Sequence, residues 1–424
     1  MVAPVGKGAT GVRALALAAV ALALVPAGAA AREPLRFGLN DAILTHPEDP
    51  DVVLDAHLAI GATVLRTAVH WRDVQPEPGT WHWAATDEAI GRAARRGLKT
   101  IAVLYSVPPW AAAGAPSPHC SRDRMASRCQ PPPAPERLAD FQEFVAQLAI
   151  RYPSLAAIEV FNEPNVAAWT WQPRADPEHY ARVLRAAHEA VERVRPRLPV
   201  LSGGIAFPGV PTPPGSMSPG EFLERMYRAG ARGAMDGIAV HPYPADTSPF
   251  EAATSSYHRL MAETTAIRNR RRDRDVPLWI TEVGYTTTGP FAVTPGRQSR
   301  WLVRILEDAF ARRDVAAVVV HTLRDPAGSP ASPESGYGLL NGDFSPKPAF
   351  HAVGQAVGRE HARRANERRR ARLRRTFTRR CERVARRRSL RGAKRRAYVR
   401  RCVKRAERRH RARRKGQAVT RERE

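Results

Sequence analysis

Two glutamates stand where runs of apolar residues end. One lies in Ile158-Glu-Val-Phe-Asn162-Glu163-Pro164-Asn165, the other in Leu278-Trp-Ile-Thr281-Glu282-Val-Gly284-Tyr285. Each run reads as a buried strand, and a carboxylate at its end is a poor packing residue, because glutamate is seldom buried without a partner. A capping or turn role would account for Glu163 taken alone, and a surface salt bridge for Glu282 taken alone. Together they suit one chemistry. Two carboxyl groups facing each other across a narrow cleft are what cleavage of a glycosidic bond requires. One is protonated to help the leaving oxygen depart; the other is ionised to attack the sugar.

The surrounding elements must bring them together. Between Leu35 and about Ala352, short apolar runs alternate with longer amphipathic stretches. Candidate strands occupy 35–41, 63–71, 98–106, 156–163, 199–206, 237–243, 277–285 and 316–325, with helical patterns such as 51–61, 136–152, 177–194, 221–232 and 297–313 between them. Strands alternating with helices imply parallel βαβ units. Eight of them over roughly 320 residues predict an α/β fold of the closed (β/α)8 TIM-barrel type. A doubly wound sheet would want a Gly-rich phosphate loop after an early strand, and the sequence offers none. Asp176-Pro177 supplies a cap and a first-turn proline, and Gly97 punctuates a helix ending at Arg95-Arg96. Prolines crowd 108–118, 131–135, 208–219 and 326–333, each after a candidate strand. In a barrel those loops lie on the face that carries the active site. Glu163 and Glu282 would then close the fourth and seventh strands, on opposite sides of one mouth.

The matched pieces resemble clan A of the glycoside hydrolases, most closely families 5 and 39. The resemblance rests on Asn162-Glu163-Pro164 and Trp279-Ile-Thr-Glu282-Val-Gly284. It extends to Leu65-Arg66 with Trp71-Arg-Asp-Val-Gln-Pro76 and Pro78-Gly79-Thr-Trp81, and to Ala239-Val-His241-Pro242-Tyr243. Leu323-Arg-Asp325, Tyr337-Gly-Leu-Leu340 and Ser345-Pro-Lys-Pro348-Ala-Phe350 complete it, in family order, over about 35–357. It implies a retaining O-glycosyl hydrolase acting on β-linked sugars, with Glu163 as acid/base and Glu282 as nucleophile. It further implies that Asn162 binds the sugar 2-hydroxyl, Arg66 orients Glu282 and Tyr243 donates to the same carboxylate; no metal or other cofactor is required. Arg66 could instead pair with Glu159 inside the barrel. His241 reads equally as a substrate-binding residue or a hydrogen-bonded core histidine.

Trp81, Trp110, Trp169 and Trp171 fall in the active-face loops, where aromatic rings can stack on sugars or simply pack; Trp169 and Trp171 are the best placed. Two departures stand out. His321-Thr322 occupies the end of the eighth strand, where relatives commonly place a tryptophan and a tyrosine, and Gln75 stands where they often have glutamate. These leave a second reading: a carbohydrate-binding or surface-attachment protein on a degenerate barrel.

The two ends differ from the body. Lys7 and Arg13 precede an uncharged apolar run of twelve residues, 14–25, and Pro26 leads to Ala29-Ala30-Ala31. That is the pattern of a secretory signal peptide over 1–31; a bilayer span would need about 20 apolar residues. The expected product is secreted, with no transmembrane helix after signal removal. Residues 32–358 form the predicted barrel domain. At the other end, 359–424 holds 31 Lys and Arg against 6 Asp and Glu, so +25 of the net charge of +27 resides there. The four cysteines fit an oxidising compartment. Cys120 and Cys129 bracket a proline-flanked loop and predict a staple, since two thiols with only His119 nearby make a poor zinc site. Leu373, Phe377, Cys381 and Val384 recur at helical spacing, as do Tyr398, Cys402 and Ala406, about the turn Ser389-Leu-Arg-Gly392. This predicts a helical hairpin bridged by Cys381 and Cys402, against a disordered tail. Such a surface attracts polyanions. For an exported chain those are acidic wall or envelope polymers, anionic lipid or acidic polysaccharide rather than nucleic acid.

Overall fold

The computed structural model describes residues 35–41, 50–114, 131–167, 171–209, 211–245, 247–249, 251, 255–326, 328 and 331–421, with side chains to 410. Its strands are β1 (Arg36–Asn40), β2 (Val64–His70), β3 (Lys99–Tyr105), β4 (Leu155–Asn162), β5 (Val200–Ala206), β6 (Ile238–His241), β7 (Leu278–Val283) and β8 (Val315–His321). They pair in sequence order, all parallel, and β8 closes back on β1. The helices are α1 (Pro50–Ala59), α2 (Trp71–Val74), α3 (Ala84–Arg95), α4 (Leu138–Arg151), α5 (Pro177–Val194), α6 (Pro219–Arg228), α7 (Ser256–Arg270), α8 (Pro295–Ala311), α9 (Pro348–Arg387) and α10 (Gly392–Arg421). The fold is a closed (β/α)8 TIM barrel. The predicted signal segment 1–31 and the Cys120–Cys129 staple lie outside the described residues, and none of the described helices is long and apolar enough to cross a membrane.

Local chemistry sets the helix starts. Asp176, Ser218 and Thr294 each accept a hydrogen bond from the backbone N–H three residues on, and each precedes a proline. An N-cap of this kind contributes about 1 kcal/mol, and proline in the first turn forfeits no helical hydrogen bond. The amphipathic helices then bury one face against the outside of the sheet; α5 contributes Tyr180, Val183, Leu184, Ala187 and Val191.

Inside the barrel, side chains alternate with period two along each strand. A lower layer of Val64, Ile101, Ala157, Leu201, Ala239, Trp279 and Ala317 is apolar. Two residues further along the same strands, Arg66, Glu159, His241 and Thr281 are also buried. The apolar layer plugs the base; the polar one carries the site.

The C-terminal region is a helical hairpin. Ala349, Val353, Ala356 and Val357 of α9 are buried, and the same helix runs on without a break to Arg387. The chain turns at 388–391, and α10 returns beside it, bridged by a Cys381–Cys402 disulfide with Cα atoms 5.9 Å apart.

Candidate active site

Both glutamates sit where regular strand geometry breaks. Phe161 and Glu163 have positive φ (63° and 44°), an uncommon conformation for non-glycine residues and one met at functional positions. The turn lets Asn162 and Glu163, neighbours in sequence, both reach the mouth while Phe161 packs outward on Phe141 and Trp171. On β7 the register against β8 shifts between Ile280 and Val283. Thr281 and Glu282 thereby both serve the site, although adjacent residues of a regular strand face opposite ways.

Glu282 is 8% exposed and surrounded by donors. Its Oε1 accepts from Asn40 Nδ2 (3.2 Å) and in a short contact from Arg66 Nη1, and its Oε2 accepts from Tyr243 Oη (2.7 Å). Burial by itself would favour the neutral acid. The positive charges of His241 and Arg66, with the Tyr243 hydroxyl, outweigh it and hold the pKa well below the usual carboxylate range. Burial and the Glu282 charge in turn push Tyr243 well up, so it remains a phenol that donates.

Arg66 serves both carboxylates that competed for it in the sequence. Nε and Nη2 clamp Glu159 at 2.9 Å each, Nη2 also reaches Asn162 Oδ1 at 2.8 Å, and Nη1 faces Glu282 and Asn40. A guanidinium has five N–H donors in a planar fork, enough for all four partners. Burial penalises its charge, but Glu159 and Glu282 outweigh that and raise its pKa. Glu159 is completely buried; burial pushes it up, and Arg66 and His241 bring it below its ordinary value.

His241 links the two halves. Thr281 donates its hydroxyl proton to Glu159 (3.2 Å) and so accepts from His241 Nε2 at 3.1 Å. The opposite ring nitrogen, Nδ1, is 2.8 Å from Glu163 Oε1 and 3.8 Å from Glu282 Oε2. Burial would lower the imidazole pKa; the Glu282 charge, the nearby Glu159 carboxylate and the hydrogen bond to Glu163 raise it to about 9. The ring fits because β5 carries Gly204: a Cβ there would come within 1.9 Å of His241 Nε2. Glu163, His241 and Glu282 present three ligand-type atoms within 4.8 Å of one another. A metal ion there would sit beside the Arg66 cation and compete with the short Glu163–His241 hydrogen bond, so the donor set suits a proton better.

The eighth strand contributes His321. Asn40 Oδ1 accepts from Arg66 (3.2 Å), which turns the amide so that Nδ2 faces His321 Nδ1 at 3.0 Å. His321 Nε2 lies 3.5 Å from Glu334, and Tyr337 and Tyr243 stand edge-on to the ring at 5.3 and 6.2 Å. Burial lowers its pKa, but Glu334 and Glu282 turn the balance upward.

Glu163, Glu282, Asn162, Arg66, His241 and Tyr243 thus meet in one cluster. Trp171 does not join it. It is fully buried, edge-on to Phe161 and Tyr180, and presents no face to a sugar. Its burial corrects the expectation of a stacking platform; Trp169 lies outside the described residues. Trp110 packs on Trp71 under Arg137, and Trp81 stacks on Trp83. Gln75 is buried and accepts from Trp71 Nε1 (2.8 Å). Sequence reasoning missed Asn40 and Thr281, and gave Glu159 only half its role. For Asn40 a signal existed: like Asn162, it is a polar residue ending an apolar strand.

No protein-family description matches the sequence, and no curated protein matches it. Solved structures do share the fold. A family 39 glycoside hydrolase from Bacteroides cellulosilyticus superposes with a TM-score of 0.57 at 21% identity, over 77% of this chain and 64% of that one. A glucosidase from Croceicoccus marinus gives 0.57 at 16%, over 77% and 68%. A family 5, subfamily 18 enzyme from Streptomyces cattleya, solved with GlcNAc, gives 0.57 at 21%, over 78% and 81%. The matched part therefore spans just under two thirds of the family 39 enzyme. The likeness is one of fold: this barrel is the one that these glycoside hydrolases use.

Proposed function

We propose that this chain is a clan A-type retaining glycoside hydrolase that cleaves β-linked O-glycosides by double displacement, outside the cytoplasm. One observation carries the reading: Glu163 and Glu282, at the ends of β4 and β7, bring carboxylate oxygens within 4.8 Å of each other across the mouth. Retaining enzymes place their two carboxyl groups about 5–5.5 Å apart, close enough for the second to bond the sugar directly, whereas inverting enzymes leave room for a water.

In the first step Glu163 gives its proton to the glycosidic oxygen, the bond from that oxygen to the anomeric carbon breaks, and Glu282 bonds to the carbon as an ester. In the second, Glu163 takes a proton from water, the water oxygen displaces Glu282, and the hemiacetal leaves with its original configuration. Arg66, Asn40 and Tyr243 keep Glu282 anionic and aimed before attack and receive the carboxylate back afterwards. His241, in hydrogen-bond contact with Glu163, positions the acid/base. Asn162, its carbonyl fixed by Arg66, turns the donor end of its amide to the sugar. The signal-like start of the chain and the Cys381–Cys402 bridge support export, since disulfides persist in oxidising compartments.

The test is covalent trapping with a panel of 2-fluoro glycosides, followed by peptide mapping. The expected product is one sugar ester on Glu282, with Glu282→Gln unlabelled and its turnover down on the order of 10⁴-fold. Label on another carboxylate, or wild type and E282Q behaving alike on sugars that bind, overturns the reading; the latter result would favour a binding protein.

A further inference from the structure

We propose that the C-terminal hairpin is an anchor for an anionic glycan, and that it leaves the barrel by the face opposite the cleft, so that the cleft points away from the anchored polymer. The direction follows from α9. Lys347, just before the helix, pairs with Asp325 after β8 (2.5 Å), on the side of the barrel where the strands end. Ten residues into the helix, Val357 and His361 lie against Gly61, in the turn between α1 and β2, where a strand begins. The helix therefore enters at the active-site face and crosses the barrel wall to the other. Everything from Arg363 onward extends beyond that far face, roughly 40 Å of helix to the turn at 1.5 Å per residue.

The composition selects the partner. Of the 31 cations beyond Gly358, 28 are arginine, whose planar fork matches carboxylate and phosphate oxygens better than an ammonium does. Lipid insertion would need a helix with a free apolar face. Here Cys381, Ala385 and Val403 are buried between the two helices, Phe377 meets His410, and Tyr398 lies under Arg388. The apolar residues are spent on the seam, and Arg368, Arg372, Arg379, Arg386, Arg400 and Arg408 are exposed. The bridge between α9 and α10 speaks for an oxidising compartment, where nucleic acid is not the ordinary polyanion. The choice of a glycan rests on the hydrolase reading of the cleft; the exit direction does not.

The full-length protein is tested for binding to polygalacturonate and to a phosphomannan, a glycan carrying phosphodiesters, with neutral dextran, duplex DNA and phosphatidylglycerol vesicles as comparisons. Both acidic glycans are expected to bind at 0.15 M salt, dextran not, and the tighter of the two identifies carboxylate or phosphodiester as the oxyanion. Replacing these six arginines together by glutamine should weaken glycan binding at least about tenfold, with helix content unchanged. Labelling of arginine by a dicarbonyl reagent then reads the orientation without any need for turnover. Bound polymer should protect Arg368, Arg372 and Arg379 and leave Arg72 and Arg137, on the cleft side, reactive. Retention no better than dextran's, tighter binding to DNA or vesicles at matched charge, an unaffected glutamine variant, or protection of Arg72 and Arg137 would each overturn the proposal.

Discussion

The barrel mouth and the C-terminal hairpin both depend on arginine, in opposite ways. At the mouth a single buried guanidinium contacts four side chains, and every charge near it has a partner of opposite sign. On the hairpin 31 cations face 6 carboxylates, and most of the excess stands in water. Removing one member of the first set leaves a charge stranded in a low-dielectric interior; removing one member of the second changes a sum by a small fraction. Position decides the value of a charge in the barrel, and number decides it in the hairpin.

The contrast can be tested most severely at Arg66. Arg66→Met strands Glu159 and Glu282, and should lower stability by about 3–5 kcal/mol and abolish measurable turnover. Adding Glu159→Gln to that variant should recover much of the stability, because no buried anion then lacks a partner beneath the site, but none of the turnover. A thermal or denaturant melt beside a rate assay separates the two effects. If R66M melts like wild type, the buried network is not what holds the mouth together.

His241 offers a pH-dependent version of the same test. Its pKa is raised to about 9 in the folded chain, against about 6.5 unfolded. The folded state then binds the proton more tightly. The stability this contributes is fully present below about pH 6.5 and is lost as pH rises through 9. His241→Asn should remove that alkaline loss, so the wild-type and variant stability curves converge between pH 6.5 and 9. Parallel curves over that interval would mean that the imidazole is neutral in place. Glu282 and Glu159, both held below their ordinary values, act at the other end: their contribution is present above about pH 4.3 and is lost as pH falls below it.

The smallest effect is expected from the hairpin. Reducing Cys381–Cys402, or replacing both by serine, should make the turn at 388–391 easier to cleave by protease while the main melting transition of the barrel stays put. A coupled loss of both would show that the hairpin supports the barrel.

Much of this was legible in the sequence, for physical reasons that differ by region. The eight strands were readable because a parallel sheet buried on both faces writes itself as continuous apolar runs, and all eight expected segments contain or overlap the observed ones. Glu163 and Glu282 could be picked out because a carboxylate ending such a run is out of character. What could not be read was geometry that depends on several strands at once. In sequence Glu159 and Glu282 are alternatives for Arg66, and only three dimensions show the two carboxylates on different edges of one guanidinium. Asn40 carries no mark in the sequence beyond its place near the end of a short strand; closure against β8 places it beside Glu282 and His321. Trp171 was misjudged because a loop after a strand may turn outward over the cleft or inward under it, and aromatic residues serve either path.

One ladder of hydrogen bonds runs from Pro348 to Arg387, so there is no joint between the part of α9 seated on the barrel and the part that projects. Tension applied at the tip meets first the seats of Val357 and Ala356, against the turn before β2, and then those of Val353 and Ala349. A pull strong enough to matter would therefore work on the packing of the helix against the barrel before it stretched any linker.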